Sequence, residues 1–446
     1  MPSPSTDLEA SSTDPVVLFV TVGGSPQPII SAMRALRPKA VWFVVSEVTE
    51  HAKSSSDQVE SAAIVIDRKS GEIGPGLRRQ PDCPTDVRVC RVPADKPDLT
   101  FARCIEWMRE AQRRFPQHRL VADYTGGTKS MTGGLLMAAL ALEGVEVQII
   151  SGNRPDLDQV ETGTEAPRAV SSDAVLADRE MRRIESVVAQ YDYAAASDLA
   201  ADLKRRAGTS RGIPKSSRTR IAKVAAVLAI LKEWDAFRHG EAASRGRDDR
   251  APDGAARRTF EELGLLAPLQ KLAEAGREQS SWPLCADVWL NAQRCAARAR
   301  YDDAVARLYR LTEAAVQAQL WLRHQVPNPP QWDQVPEDLR KDLEPIRAIH
   351  NGKGYQAAGL GLDRCIQMLC RLDPLDPLVV ALTEGGARSG RPPWTNRRNN
   401  SILAHGFSSL DENAWKTASA WVAERLRPFW ESVEPPQLPC DLRFAE

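Results

Sequence analysis

Leu120-Val121-Ala122-Asp123-Tyr124-Thr125-Gly126-Gly127-Thr128-Lys129-Ser130 passes from an apolar run, through paired glycines, into an amphipathic stretch. Strand, glycine loop and helix start in that order are the unit from which parallel sheets are built. The same unit opens the chain, where Val16 to Val22 leads into Gly23-Gly24-Ser25-Pro26. Further strands are predicted at Ala40 to Val45, Val87 to Val92 and Val145 to Ile150, each dense in Val, Ile or Leu as a strand buried on both faces should be. Helices are predicted over Pro26 to Leu36, Leu99 to Phe115 and Thr128 to Leu142. Ser70 to Pro84 reads as a loop.

Both glycine loops would lie beyond the carboxyl ends of strands, where ligands bind in doubly wound sheets. Paired glycines let backbone N–H groups approach an anion, the helix start adds a favourable dipole, and Thr, Ser and Lys add donors. The expected guest is a phosphate or nucleotide. Neither loop has Walker A spacing or Gly-x-Gly-x-x-Gly, which disfavours ATP hydrolysis and simple dinucleotide binding.

Beyond Arg154 the character changes. Arg154 to Val170 is polar and irregular. Helices are then predicted over Val175 to Ala207, Ser217 to Phe237, Arg258 to Ala275, Trp282 to Leu322, Leu360 to Cys370 and Glu412 to Trp430. Breaks are expected at His239 to Ala255, at the proline-rich Val326 to Pro336, and at Glu384 to Thr395. Arg347 and His350, before an Asn-Gly pair, read as a helix end. The fold class is therefore α/β plus all-α: residues 1–14 are expected to be a disordered N-terminus, 15–170 a Rossmann-like parallel-sheet domain, 171–300 a helical connector and 301–446 a further all-α domain.

Within that last domain, Arg398-Asn399-Asn400-Ser401-Ile402-Leu403-Ala404-His405-Gly406 combines a fixed cation, an amide and an imidazole. If the stretch is one helix, Arg398 and His405 share a face about 10 Å apart. RNA carries its own nucleophile, the 2'-hydroxyl, so a site that holds the phosphate and manages one proton needs no metal. His405 would move the proton, Arg398 would hold phosphate oxygens and Asn399 would orient them. Arg397 is a rival for the arginine role, but Arg398 has the shorter spacing. Arg113 and His118 are also close in sequence and read as a helix end broken by Pro116.

Composition sets limits. The 446 residues suggest two or three domains. Lys+Arg and Asp+Glu both number 59, so no global basic excess advertises duplex binding. The eight cysteines have no C-x-x-C pair, which points to reduced thiols rather than zinc or disulfides. With no signal-like start and no apolar run near the roughly 20 residues of a membrane span, a cytoplasmic protein is expected.

Taken together, Thr21 to Pro26, Asp123 to Met131 and Arg398 to Phe407 resemble the CARF-HEPN ribonucleases that accompany type III CRISPR systems. Tyr301-Asp302-Asp303-Ala304-Val305-Ala306-Arg307-Leu308-Tyr309-Arg310, continuing to Leu322, is similar to the long helix that opens many HEPN domains. The resemblance implies a homodimer that binds a cyclic oligoadenylate, tetra- or hexa-adenylate, as allosteric activator across paired CARF domains. It implies cleavage of single-stranded RNA at a composite HEPN site, without a metal cofactor. Thr21, Gly23, Gly24, Ser25, Thr125, Gly126, Gly127, Thr128 and Lys129 would line the ring; Arg398, Asn399 and His405 would be catalytic. Slow cleavage of the ring by the CARF domain itself is a further reading. The alternatives are a ligand-dependent DNA-binding regulator, for which the acidic, Trp-rich Leu410 to Glu434 is a poor recognition helix, and a small-molecule α/β enzyme with a helical dimerisation domain.

Overall fold

The computed structural model describes residues 14–48, 53–67, 70–152, 166–247, 254–275, 281–328, 330–341, 360–384 and 392–445. The chain forms two compact units, Met1–Leu176 and Ala177–Glu446. Arg347 and His350 lie outside the described residues, as do 153–165 and 385–391.

In the first unit the elements run β1 (Val16–Thr21), α1 (Gln27–Leu36), β2 (Ala40–Ser46), α2 (Asp57–Glu60), β3 (Ala63–Asp67), β4 (Glu72–Pro75), β5 (Asp86–Val92), α3 (Pro97–Arg114), β6 (Arg119–Asp123), α4 (Lys129–Ala141), β7 (Val145–Ser151) and β8 (Ala166–Val170). Six strands form one sheet in the order β5-β2-β1-β6-β7-β8, parallel except for the β7–β8 pair; β3 and β4 make a separate hairpin. Every residue of β1 and β2 is buried, as their unbroken apolar runs require. Ile29, Ile30 and Met33 of α1 cover one face of the sheet, and Cys104, Met108, Met131 and Leu135 of α3 and α4 cover the other.

The five predicted strands are all present. The β3–β4 hairpin and β8 are additional: β4 occupies part of the expected 70–84 loop, and β8 part of the stretch read as irregular. Both are short pairings at the margins of the unit with exposed residues; β4 and β8 lack the density of Val and Ile that marks a central strand, and of the short Ile64-Val65-Ile66 run in β3 only Ile64 is buried.

The second unit is helical throughout its described residues: α5 (Asp173–Val188, beginning just ahead of it), α6 (Tyr193–Thr209), α7 (Lys215–Asp235), α8 (His239–Arg247), α9 (Ala255–Glu262), α10 (Leu266–Ala275), α11 (Trp282–Ala297), α12 (Tyr301–His324), α13 (Leu362–Leu372), α14 (Pro377–Glu384), α15 (Thr395–Asn399) and α16 (Glu412–Arg425). Three of the predicted long helices are instead pairs. Tyr191 and Ala299 take φ of 57° and 55°, and the N–H of the residue after each bonds back to a carbonyl five residues earlier, Asp192 to Val187 and Arg300 to Cys295. These are left-handed helix ends made without glycine, which costs about 1 kcal/mol and leaves little trace in sequence. Gly264 does the same between α9 and α10, with Leu265 N–H bonding to Phe260. The expected break after His239 is partly helix α8.

Two apolar cores divide this unit. One joins residues of α5 to α10 and takes in Leu438, Leu442 and Ala445, so the chain's last turn packs with the helices that follow the sheet. Tyr193 fastens that return by donating to the Pro439 carbonyl at 3.0 Å. The other core gathers α11 to α14, Trp394, α16 and Trp430. No helix among the described residues is long and apolar enough to cross a membrane.

Candidate functional sites

β1 and β6 are adjacent and parallel, with Val20 beside Asp123. Chain order reverses between them: β2 and β5 lie beyond β1 on one side, β6 and β7 on the other. The two glycine loops thus leave the sheet side by side at its switch point. They touch through backbone. A Cβ at Gly23 would come within 2.5 Å of the Gly127 nitrogen, and one at Gly126 within 2.6 Å of the Thr21 carbonyl oxygen, so neither position has room for a side chain.

The polar residues of the crevice divide into two groups. Thr21 is fully buried and its hydroxyl donates to the Gly126 carbonyl. Thr125 donates to Asp123 Oδ1 and accepts from the Ile150 N–H at 2.7 Å. Thr128 donates to the Ala94 carbonyl and caps α4 by accepting from the Met131 N–H. These hydroxyl protons hold the loops in shape. Asp123 sits beneath them, buried, taking further bonds from the Thr125 N–H at 2.9 Å and Gln148 Nε2 at 2.9 Å; burial raises its pKa against those bonds. Gly24, Gly127 and Lys129 are exposed and Gly23 and Ser25 half-buried. Lys129 stands at the start of α4 with no ion pair among the described residues, where a helix terminus and a cation both favour an anion.

The Arg398 motif is not one helix. α15 ends at Asn399, and 400–408 form a tight loop that folds back on it. The His405 N–H donates to the Asn399 carbonyl at 3.1 Å, Ile402 N–H to Ser408, Gly406 N–H to Ser401, and Ser408 N–H to Asn400. The expected shared helix face is therefore replaced by a return of the chain, and His405 is set against Asn399 by backbone bonds. Asn, Asn and Ser in sequence favour leaving a helix, and Gly406 makes the turn feasible: a Cβ there would lie 2.0 Å from the Asn400 oxygen.

Two residues of α12 hold this loop, and sequence reading assigned neither a role. Arg398 lies over the Tyr309 ring, 4.2 Å from its centroid, and donates through Nη1 to Asn399 Oδ1 at 3.2 Å. Asp302 accepts the Leu410 N–H at 3.1 and 3.2 Å, securing the chain as it leaves the loop. The Arg398 Nε is buried without a partner, and no carboxylate pairs with Arg397 or Arg398 among the described residues. An unneutralised, half-buried guanidinium is suited to hold a phosphate. His405 is exposed on the returning loop, among Ile402, Leu403 and Phe407, which are 54%, 47% and 95% exposed. Arg113 and His118 lie at a helix end as expected, in the other unit.

Residues 273–427, spanning the seat on Tyr309 and the whole Arg398 loop, match the family model described as the Csm6 HEPN domain. This segment is similar to the Csm6 HEPN domain. With the Rossmann-like sheet unit ahead of it in sequence, the order of domains is similar to that of CARF-HEPN proteins. The structure of Enterococcus italicus Csm6 bound to cyclic hexa-2'-fluoro-hexa-dAMP is similar in fold, with a TM-score of 0.53 at 14% identity, covering 97% of each chain. Can2 from Sulfobacillus thermosulfidooxidans in complex with cyclic tetra-adenylate overlaps 50% of this chain and 67% of its own, at 11% identity and a TM-score of 0.23, too low to support any argument. No curated protein matches the chain by sequence.

One cluster in the HEPN domain has metal-ligand types: atoms of His324, Asp373 and Asp376 lie within 4.8 Å of one another. Asp376 is fully buried, but Gln319 Nε2 and the Leu378 N–H already bond to it, and Arg323 lies 3.6 Å away. Those contacts identify it as the N-terminal support of α14.

Proposed function

We propose that this chain is a cyclic-oligoadenylate-activated endoribonuclease of type III CRISPR defence, cutting single-stranded RNA at a composite site made by two HEPN domains. The observation that carries the reading is the placement of Arg398, Asn399 and His405 in one folded-back loop, inside the segment that matches the Csm6 HEPN domain.

The chemistry follows from those groups. The substrate's own 2'-hydroxyl attacks the adjacent phosphorus and its proton passes to a base; the P–O5' bond breaks and the 5'-oxygen takes up a proton. The products are a 2',3'-cyclic phosphate and a 5'-hydroxyl. Arg398, fixed over Tyr309, holds the non-bridging oxygens whose charge builds up in the transition state. Asn399 orients the phosphate, and His405 carries the proton in or out. Because the nucleophile is internal to RNA, cleavage is expected to persist in chelator.

A homodimer suits both ends of the molecule. Ile402, Leu403 and Phe407 give the loop an apolar rim of the kind that a second protomer covers. A cyclic tetra- or hexa-adenylate has the symmetry to meet two equivalent switch-point crevices. Gly23, Gly24, Ser25, Gly127 and Lys129 would face it, with Thr21, Thr125, Gly126 and Thr128 keeping the loops in shape.

The test is cleavage of single-stranded RNA by the purified protein across a panel of cyclic oligoadenylates, with and without chelator. Ring-dependent cutting that Arg398→Ala or His405→Ala lowers by about 100-fold or more is expected. No cutting with any ring, or cutting indifferent to both substitutions, would reject the reading.

A further inference from the structure

Beside the Arg398 loop, Val305 of α12, Trp394 and Arg397 at the start of α15, Leu410 ahead of α16, and Ala414 and Ala418 within it enclose a cavity of about 230 Å³. Pockets for drug-sized ligands run to roughly 300–1,000 Å³, so this one has room for a single planar heterocycle. Its walls are largely apolar, and its one charged side chain, Arg397, can only donate. Arg397 is exposed, has no ion pair among the described residues, and offers guanidinium N–H groups but no acceptor. Trp394 is 5% exposed, and its indole Nε1 is buried without a hydrogen-bond partner among those residues. The Thr417 hydroxyl at the rim donates to the Asn413 carbonyl, at 2.8 Å, which leaves its oxygen as an acceptor at the edge of the opening.

Arg397 is not a duplicate of Arg398. Consecutive helix residues point to different sides; Arg398 lies on Tyr309 while Arg397 lines the cavity. A strand whose phosphate rests on Arg398 has its neighbouring nucleotide within reach of this opening. Single-stranded RNA is read by splaying a base out of the stack and into contact with aromatic and arginine side chains.

We propose that the cavity is a base-recognition pocket of the nuclease, taking one nucleobase next to the scissile phosphate and preferring an acceptor-rich edge. The inference rests on the ribonuclease reading above. Guanine presents two acceptors, O6 and N7, on one edge, whereas adenine sets an N6 donor beside N7. Against the Arg397 guanidinium, which can only donate, guanine is favoured by about tenfold, within the range of one good bidentate contact.

The test uses full-length protein, the ring panel and an oligoadenylate carrying one guanosine at a scanned position. Cleavage sites are mapped, and binding of the same strands to the His405→Ala protein is followed by anisotropy. The expected result is cutting at a fixed offset from the guanosine, about tenfold faster than in the guanosine-free strand. Arg397→Ala and Trp394→Phe should bring that ratio to within about twofold of one while the guanosine-free strand is still cut. Cutting indifferent to the guanosine overturns the pocket and leaves the nuclease standing. Equal loss on both strands in Arg397→Ala also overturns it, since that is the signature of a phosphate contact. Guanosine-preferring, Arg397-dependent binding without cleavage by any protein would keep the pocket and reject the nuclease. Neither cleavage nor preferential binding would reject both.

Discussion

The guanidinium of Arg398 lies over the ring of Tyr309, 4.2 Å from its centroid. The aromatic face belongs to the long helix α12 and the cation to the five-residue helix α15. A stacked arginine keeps its charge and its N–H edge while losing freedom, which is what a phosphate-holding group needs. Tyr309→Phe, which keeps the ring, should retain RNA cleavage within about twofold. Tyr309→Ala should lower kcat by about tenfold, in line with one cation–π contact of roughly 1–2 kcal/mol. Equal kinetics in the two variants would show that the ring does not position Arg398.

Gly406 is the closing point of the loop that brings His405 to Asn399. The alanine Cβ would meet the Asn400 oxygen at 2.0 Å, and backbone on both sides prevents an easy retreat. Gly406→Ala should therefore displace His405 and reduce cleavage by about 100-fold, while the HEPN core, which does not include this loop, keeps its thermal transition. A variant with wild-type turnover would mean the loop geometry is not required.

Ligand contact and loop support separate in the sheet unit. Lys129 is exposed at the start of α4 without a partner among the described residues, so Lys129→Ala should weaken cyclic oligoadenylate binding by about tenfold and leave stability unchanged. Thr125 bonds Asp123 and the Ile150 N–H, so Thr125→Val should cost about 1–3 kcal/mol of stability. Calorimetric titration beside denaturant unfolding distinguishes the two; the opposite assignment of effects would refute the division.

Asp123 has a raised pKa, chiefly from burial, with Thr125 and Gln148 opposing the rise. The folded chain holds this proton more tightly than the unfolded chain, so ionisation costs stability. The proton's contribution is fully present below the ordinary carboxylate value near 3.9 and is lost as pH rises through the raised one. Asp123→Asn should flatten that fall. Hydrogen exchange of β1 and β6 amides, compared between about pH 4 and about pH 7 after correction for intrinsic rates, should show protection declining more in the parent than in the variant. Parallel declines would exclude Asp123 as the source.

Much of the fold was legible in the chain. Unbroken apolar runs such as Val16 to Val22 and Ala40 to Val45 fit strands buried on both faces, and the glycines and Pro26 that follow them mark where the chain must turn. Helix ends were less legible. Tyr191 and Ala299 close helices in the left-handed region, and nothing in their side chains announces it, because surrounding packing rather than local preference meets the cost. The marginal strands β4 and β8 lacked the apolar density that identified the central ones, and the Ile64-Val65-Ile66 run of β3 is too short to stand out.

The site divides in the same way. Sequence by itself determined which chemistry was available: an arginine, an amide and an imidazole within eight residues, and glycine loops after two strands. Their arrangement was decided by tertiary structure. Helical spacing would put Arg398 and His405 two turns apart, but a helix that stops at Asn399 turns the backbone back on itself, and the resulting bonds connect residues whose relation no periodicity encodes. Tyr309 and Asp302 lie some 90 to 108 positions from the residues they hold. Contacts across such separations depend on how α12 packs with α15 and α16, so the cation's seat and the loop's anchor emerge only once the helices are assembled.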